Sequence, residues 1–275
     1  MKAFVGISSG QDGLLALYKT LTETDYEVYA INVQTRTTYA INNINYHDSY
    51  RVESINWLRK NCRKFVYDSV IGHKAKWSPR WEGEKDYSEI SEENVNDLLR
   101  ICELGGKGKG SVFHALTAGA ENWYSISKAA QELKCDVIIA GFDKIQRSSP
   151  AAAELFPTKH FRPSSFITEN CMGVPLVYPL EKMGRMQIYH ELPKGLKQSI
   201  APCEDYRMVA LGEFCGRCRK CLTKKVYEKL YLTEKYTIEE LDKVYYNTYI
   251  NADKNRSSNR SSTNIGMAGL SRLLE

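Results

Sequence analysis

The sequence predicts an α/β protein in which helices cover both faces of a parallel sheet. Three observations lead to this prediction. Short apolar runs alternate with segments of helical periodicity along the chain. The most strand-like run, "DVIIAGF", covers residues 136–142. A glycine-containing turn joins the first apolar run to the first helical segment, as in many open α/β sheets.

The first three elements are a strand, a turn and a helix. "MKAFVGIS" is short and apolar, "SGQDG" is the turn, and "LLALYKTL" places Leu14, Leu17 and Leu21 on one helical face. A second strand is predicted from Tyr26 to Val33. The order of strand, helix and strand favours a parallel pairing of the two strands.

The next segments continue the alternation. "SYRVESINWLRKN" predicts a helix with Val52, Ile55 and Leu58 on one face, and "KFVYDSV" predicts a third strand. "GAENWYSISKAAQELK" predicts the helix before "DVIIAGF". Beyond Asp143 the chain is expected to be rich in loops, with a late helix in "IEELDKVYYNTYI", residues 238–250.

Composition divides the chain into three predicted parts. Residues 1–200 form the α/β domain, interrupted by a charged insertion at 74–110 that contains a possible helix at 92–103. Residues 201–250 form a small cysteine-containing region. Residues 251–275 are polar, with "NRSS" occurring twice, and are expected to form a flexible tail.

Composition also limits the class of protein. The N-terminus lacks the apolar core of a signal peptide, and no run reaches the roughly 18 apolar residues of a membrane span. We therefore expect a cytoplasmic protein without a membrane partner. The net charge of +5 permits an anionic ligand but does not indicate nucleic-acid binding by itself.

Four of the eight cysteines lie close together in sequence. They are Cys203, Cys215, Cys218 and Cys221, and the last three form two C-x2-C steps. Disulfides rarely persist in the cytoplasm, so this spacing indicates a metal site. Zn²⁺ accepts four thiolates, and a closed shell of this kind is structural. An iron–sulfur cluster also takes four thiolates and is the alternative.

The turn "ISSGQDG" is the second candidate site. Gly10 and Gly13 allow a sharp backbone turn, and the start of the following helix carries partial positive charge, so the turn could bind a phosphate or pyrophosphate. Asp12 would then lie near a divalent cation such as Mg²⁺. The alternative is an ordinary turn in which Asp12 only caps the helix.

Together, the turn and the cysteines resemble a known family. "SSGQDG" resembles the S-G-G-x-D-S PP-loop of the N-type ATP pyrophosphatases, and "CGRCRKC" resembles the zinc site of the 7-cyano-7-deazaguanine synthase (QueC) family within that superfamily. "ENWYSISKAAQELKCDVIIAGFDK" and "YPLEKMGRMQI" resemble later family segments in the same order. The chain departs from the family at Ser9, Gly13, Glu121 and Arg185, where the family has Gly, Ser, Arg and Lys.

The resemblance implies a Rossmann-like sheet of the adenine nucleotide alpha hydrolase type and an ATP-dependent C–N ligase. Such an enzyme adenylates a carboxylate, 7-carboxy-7-deazaguanine or a related acceptor, releases pyrophosphate, and then admits ammonia or an amine. The implied cofactors are ATP, Mg²⁺ and structural Zn²⁺. Asp12 is the implied catalytic residue. The implied nucleotide-binding residues are Ser8, Ser9, Gly10, Gln11, Asp12 and Gly13, and the implied substrate residues are Asn122, Asp143 and Arg185.

Two other functions stay open at this point. One is a PP-loop enzyme that thiolates tRNA, and the other is a catalytically decayed relative that binds a nucleotide or a partner. The acceptor could be a small deazaguanine-like molecule, a protein or a nucleic acid. The setting could be queuosine biosynthesis, a phage or antiviral defence, and the protein could act as a homodimer or within a multi-protein system.

Overall fold

The computed structural model describes residues 1–34, 40–41, 44–45, 48–71, 118–143, 170–203, 208–209, 211–216, 218–233 and 236–245. The predicted insertion at 74–110, its helix at 92–103 and the predicted tail at 251–275 lie outside the described residues. The division of the chain at residue 200 stays a prediction. Within the described part, no helix combines the length and the apolar character that crossing a membrane would require.

A six-stranded sheet forms the centre of the described fold. In chain order the strands are β1 (Lys2–Gly6), β2 (Glu27–Gln34), β3 (Ala40–Ile41), β4 (Ile44–Asn45), β5 (Val66–Ile71), β6 (Val137–Ile139), β7 (Asn170–Cys171) and β8 (Val174–Val177). The sheet order is β5-β2-β1-β6-β8-β7, and β3 and β4 form a separate antiparallel pair. All pairings in the large sheet are parallel except β7 with β8.

The helices begin and end at defined residues. They are α1 (Gln11–Glu23), α2 (Asp48–Asn61), α3 (Ala118–Glu132), α4 (Arg185–Glu191), α5 (Lys194–Gln198) and α6 (Arg219–Val226). A π-helix (Tyr227–Tyr231) directly follows α6, and a further helix, α7, covers residues 238–245. The π-helix is a rare element that occurs often near functional sites.

Two hydrophobic cores lie on opposite faces of the sheet. Successive side chains of a strand point to opposite faces of the sheet. In β1, Ala3 and Val5 therefore belong to one core and Phe4 to the other. The first core includes α1, α2, α4, the π-helix and α7, and the second includes α3 and β8. The predicted fold class, a parallel α/β sheet with helices on both faces, is therefore confirmed.

Individual elements test the sequence predictions further. Leu14, Leu17 and Leu21, which the spacing places on one helical face, are all buried. In α2, Ile55 and Leu58 are buried together with Arg51 and Ser54, but Val52 is 48% exposed and does not share their buried face. Beyond Asp143 the described residues include the short elements β7, β8, α4 and α5, and the expectation of a loop-rich chain there stays a prediction.

The strand order creates a crevice beside β1. The chain passes from β1 outward to β2 and β5, and then returns to place β6 on the other side of β1. The segments that leave the carboxyl ends of β1 and β6 therefore diverge there, which makes this edge the topological switch point of the sheet. Open α/β sheets bind their ligands at such a point.

Candidate functional site

The Ser8–Gly13 turn leads from β1 into α1 at the carboxyl edge of the sheet. Gly10 is the N-cap of α1, and its backbone N–H donates to the Ser8 hydroxyl at 3.2 Å. Asp12 lies inside the first turn of the helix and is not the cap residue. The first N–H groups of α1 therefore face the switch point without a capping side chain from the N-cap residue.

Two residues of the turn are turned into the protein. Ser9 is buried, and its carbonyl accepts a hydrogen bond from the Ala201 N–H at 3.2 Å. Gln11 is also buried, and its Nε2 donates to the Arg185 carbonyl at 3.2 Å. Ser9 through its carbonyl and Gln11 through its side chain therefore anchor the turn to neighbouring segments.

Glycine is needed where the two loops of the switch point meet. A Cβ on Gly141, after β6, would lie 2.8 Å from the Asp12 carbonyl oxygen and 3.0 Å from the Gly13 nitrogen. A Cβ on Gly13 would lie 3.3 Å from the Gly6 carbonyl oxygen. The two loops pack so closely that a side chain at Gly141 would force them apart.

A buried cation links the two loops. Arg185 Nη1 lies 2.8 Å from Asp12 Oδ2 and 3.9 Å from Asp143 Oδ2. Burial alone would lower the pKa of Arg185, but the negative charges of Asp12 and Asp143 outweigh it, so the pKa lies above its ordinary value. Arg185 therefore stays protonated, with two carboxylates directed at one guanidinium.

The structure thus brings three of the sequence-predicted site residues together: Asp12, Asp143 and Arg185. Asn122 lies in α3, and its side chain is outside the described part. Sequence reasoning missed Asp242 of α7, whose carboxylate contacts the start of α4, and Tyr245, which is buried in the same helix. No motif marks them, because they lie in an ordinary amphipathic helix.

The four predicted cysteines form one cluster. Their Sγ atoms all lie within 4.8 Å of one another. The Cys203 and Cys218 sulfurs are 3.9 Å apart, and the Cys215 and Cys221 sulfurs are 4.0 Å apart. Gly216 adopts a φ of +68°, which allows the tight turn between two of the ligands.

Backbone N–H groups point at these sulfurs. Cys218 N donates to Cys215 Sγ at 3.3 Å, Cys215 N to Cys203 Sγ at 3.4 Å, and Cys221 N to Cys218 Sγ at 3.5 Å. Such donors stabilise thiolates. Burial and, as the second cause, the neighbouring Cys218 raise the pKa of the Cys221 thiol. A cation that binds the cluster would therefore have to displace the thiol proton. The cluster could bind a metal ion.

A separate groove of about 740 Å³ lies between α4, the π-helix and α7. Its lining includes Glu191, Glu239 and His190 but none of the sequence-predicted site residues. Its carboxylates would repel a polyphosphate, so we do not assign a nucleotide to it. Burial and Lys197 lower the pKa of His190 more than the two glutamates raise it.

Comparisons with known proteins give little further information. No family model matches the chain, and no curated protein matches it. One of the solved structures that match is the U34-tRNA thiolase NcsA from Methanococcus maripaludis with its [4Fe-4S] cluster. The match covers 90% of this chain and 71% of that one, at 13% identity and a TM-score of 0.33. Because these values are low, we infer no property of this chain from the likeness.

Proposed function

We propose that the chain is an ATP-dependent ligase of the 7-cyano-7-deazaguanine synthase type, which adenylates a carboxylate and joins it to ammonia or an amine. One observation carries the proposal. The Ser8–Gly13 turn, Asp143 and the buried Arg185 meet at the switch point of the sheet. Ligands of doubly wound sheets bind at this place, and the turn there is the segment that resembles a pyrophosphate-binding loop.

The turn suits a polyphosphate for one physical reason. The first N–H groups of α1 carry partial positive charge at the crevice, and an anion can accept hydrogen bonds from them. Arg185 lies beside them, but its charge is paired with Asp12 and Asp143, so the proposal requires a divalent cation on these carboxylates when a polyphosphate binds. In this proposal the nucleotide contacts the backbone from Ser8 to Gly13, while the Ser9 carbonyl and the Gln11 side chain maintain the turn.

The same place could hold Mg²⁺. Asp12 and Asp143 both approach one guanidinium, so their carboxylates converge, and Mg²⁺ is bound through one or two carboxylates together with substrate phosphates. Asp12 and Asp143 are the residues that would hold the ion. When bound, Mg²⁺ supplies positive charge that neutralises the developing charge of the pyrophosphate.

The proposed reaction depends on positioning. A substrate carboxylate oxygen bonds to the α-phosphorus of ATP, the bond to the bridging oxygen breaks, and pyrophosphate leaves with the electron pair. The N–H groups of the turn and Arg185 stabilise the charge of the leaving group. An amine nitrogen then attacks the acyl carbon, and AMP leaves. Asn122 is proposed to orient the carboxylate substrate, and Asp143 contributes through the Mg²⁺ that it would hold.

We propose Zn²⁺ for the cysteine cluster. Four thiolates bound to one Zn²⁺ at about 2.3 Å would lie about 3.8 Å apart in a tetrahedron. The two measured separations of 3.9 and 4.0 Å agree with this spacing. Four cysteines that bind four different irons of a cluster lie farther apart, because each sulfur bonds to its own corner.

The zinc would stabilise the nucleotide-binding turn indirectly, through the segment that leads to Cys203. Ala201 is joined to Ser9 by a backbone hydrogen bond and lies two residues before Cys203. The side chain of Ser54 in α2 also bonds to Ser199, with 2.9 Å between the two hydroxyls. An ordered cysteine cluster therefore fixes the segment that supports the turn from behind.

Thiolation of tRNA is not the better proposal. That chemistry needs a reactive thiolate or an iron–sulfur cluster. Among the described cysteines outside the cluster, Cys135 is buried, and burial raises its pKa to about 11. Burial also raises the pKa of Cys62, and Cys171 is fully buried against the Ser127 hydroxyl. These environments suppress thiolate formation.

Pyrophosphate release tests the proposal. Zinc-loaded protein is incubated with Mg²⁺·ATP and ammonium, with and without 7-carboxy-7-deazaguanine, beside Asp12→Asn and the exposed control Asp25→Asn. We expect pyrophosphate release that requires the deazaguanine. This release should be lost in Asp12→Asn and kept in Asp25→Asn. Equal release of pyrophosphate without the deazaguanine would show that the deazaguanine is not the substrate. The acceptor would then be another small molecule, a protein or a nucleic acid. Bound ATP without release would overturn the ligase.

A further inference from the structure

Helix α7 contacts the start of α4 through a buried carboxylate. Asp242 is 7% exposed, and its Oδ1 accepts a hydrogen bond from the Met186 N–H at 2.7 Å. The N-cap residue of α4 is Gly184, which has no side chain to perform this task. A carboxylate that comes from a distant helix therefore caps the first turn of α4.

The backbone at Gly184 is shaped to receive that carboxylate. A Cβ added to Gly184 would overlap the carboxyl group of Asp242. Gly184 and Asp242 thus fit together as a pair, and a side chain on the first would displace the second. The fit indicates that the contact is a specific feature of the fold.

The residue between Gly184 and Met186 is Arg185, the buried cation of the candidate site. Its carbonyl accepts from Gln11 of α1, and its guanidinium bonds to Asp12. Helix α1 therefore holds the side chain and the carbonyl of Arg185, while α7 holds the N–H of the next residue, Met186.

We propose that Asp242 is a positioning residue, which keeps the Arg185 guanidinium in place for the departing pyrophosphate. This inference rests on the proposed ligase function. Asp242 acts through the Met186 N–H and not through the nucleotide. Without the cap, the first turn of α4 loses an anchor for its backbone, and the guanidinium shifts from the crevice. A misplacement of about 1 Å at a reacting group can cost about 100-fold in rate.

Three variants separate this role from a general loss of stability. Asp242→Ala removes the acceptor, and Asp242→Asn keeps an oxygen at the same place. Lys243→Ala, on the exposed side of the same helix, is the control. We expect pyrophosphate release to fall about 10- to 100-fold in Asp242→Ala and to stay within about twofold of wild type in the other two. Gly184→Ala should act like Asp242→Ala.

A double-mutant comparison tests whether Asp242 acts through Arg185. In an Arg185→Lys background, adding Asp242→Ala should cost no more than about a further twofold, because the group that Asp242 positions is already altered. If the second substitution costs its full 10- to 100-fold again, the positioning role is overturned.

Hydrogen exchange gives a readout that does not need activity. The Met186 amide should lose protection in Asp242→Ala and keep it in Asp242→Asn. Unchanged protection in an active Asp242→Ala enzyme would overturn the positioning role alone. If protection of the Met186 amide depends on Asp242 as expected but the wild-type protein releases no pyrophosphate, the ligase function is overturned. The positioning role of Asp242 in that reaction is then overturned as well.

Discussion

Replacing Asp12 by Asn should destabilise the protein, because a buried Arg185 would lose its nearer carboxylate. Arg185 is 6% exposed, and its Nη1 lies 2.8 Å from Asp12 and 3.9 Å from Asp143. Unit charges about 4 Å apart attract by about 4 kcal/mol at an effective dielectric constant of about 20. The Asp12 side chain is 21% exposed, and Asn keeps an acceptor oxygen, so we expect a loss of about 2–3 kcal/mol.

Urea unfolding followed by circular dichroism, at neutral pH and near-physiological salt, measures this loss. Asp143→Asn should cost less, about 1–2 kcal/mol, because its carboxylate is farther from Arg185. The double variant should lose more than the sum, since it removes both carboxylates that approach the guanidinium. The exposed Asp25→Asn should change stability by no more than about 0.5 kcal/mol. An Asp12→Asn protein as stable as wild type would refute the reasoning.

Three further predictions concern the loops, the cysteine cluster and the groove. Gly141→Ala should cost about 1–3 kcal/mol in thermal unfolding, whereas Gly6→Ala, whose new Cβ has 3.5 Å to its nearest neighbour, should be nearly neutral. Chelation of the metal, or Cys218→Ser, should lower the melting temperature and speed hydrogen exchange of the Ala201 amide. Unchanged exchange would contradict the proposal that the cysteine cluster fixes the segment behind the turn. Because the pKa of His190 is lowered in the folded protein, the unfolded chain binds a proton first as the pH falls below about 6.5. The free energy of unfolding should therefore decrease from pH 7 toward pH 5, less steeply in His190→Gln, and equal slopes would contradict the assignment.

Local patterns made the sheet and the first helix predictable. Leu14, Leu17 and Leu21 repeat at helical spacing, and the strands are short apolar runs, so burial follows directly from the sequence. Helix α2 did not follow this rule. Its buried face includes Arg51, which bonds to Tyr67 and Asp48, so apolar spacing marked Ile55 and Leu58 correctly but failed for Val52.

The candidate site was predictable only in part. The cysteine cluster could be found because its spacing is a chemical requirement for four ligands on one ion, and the turn could be found because glycines mark it. The pairing of Asp12 with Arg185 joins residues far apart in sequence, and only the packing of α4 against α1 creates it. The contact of Asp242 with α4 likewise depends on the tertiary fold, and no local pattern could indicate it.

The most direct test of the central proposal is the identity of the product formed from ATP. Zinc-loaded full-length protein would be given Mg²⁺ and ATP labelled at the α-phosphate, with 7-carboxy-7-deazaguanine and ammonium, and the labelled product separated by chromatography. Cleavage between the α and β phosphates at the switch point predicts labelled AMP and unlabelled pyrophosphate. Labelled ADP, or ATP recovered unchanged, would contradict the proposal that this crevice belongs to an adenylating ligase.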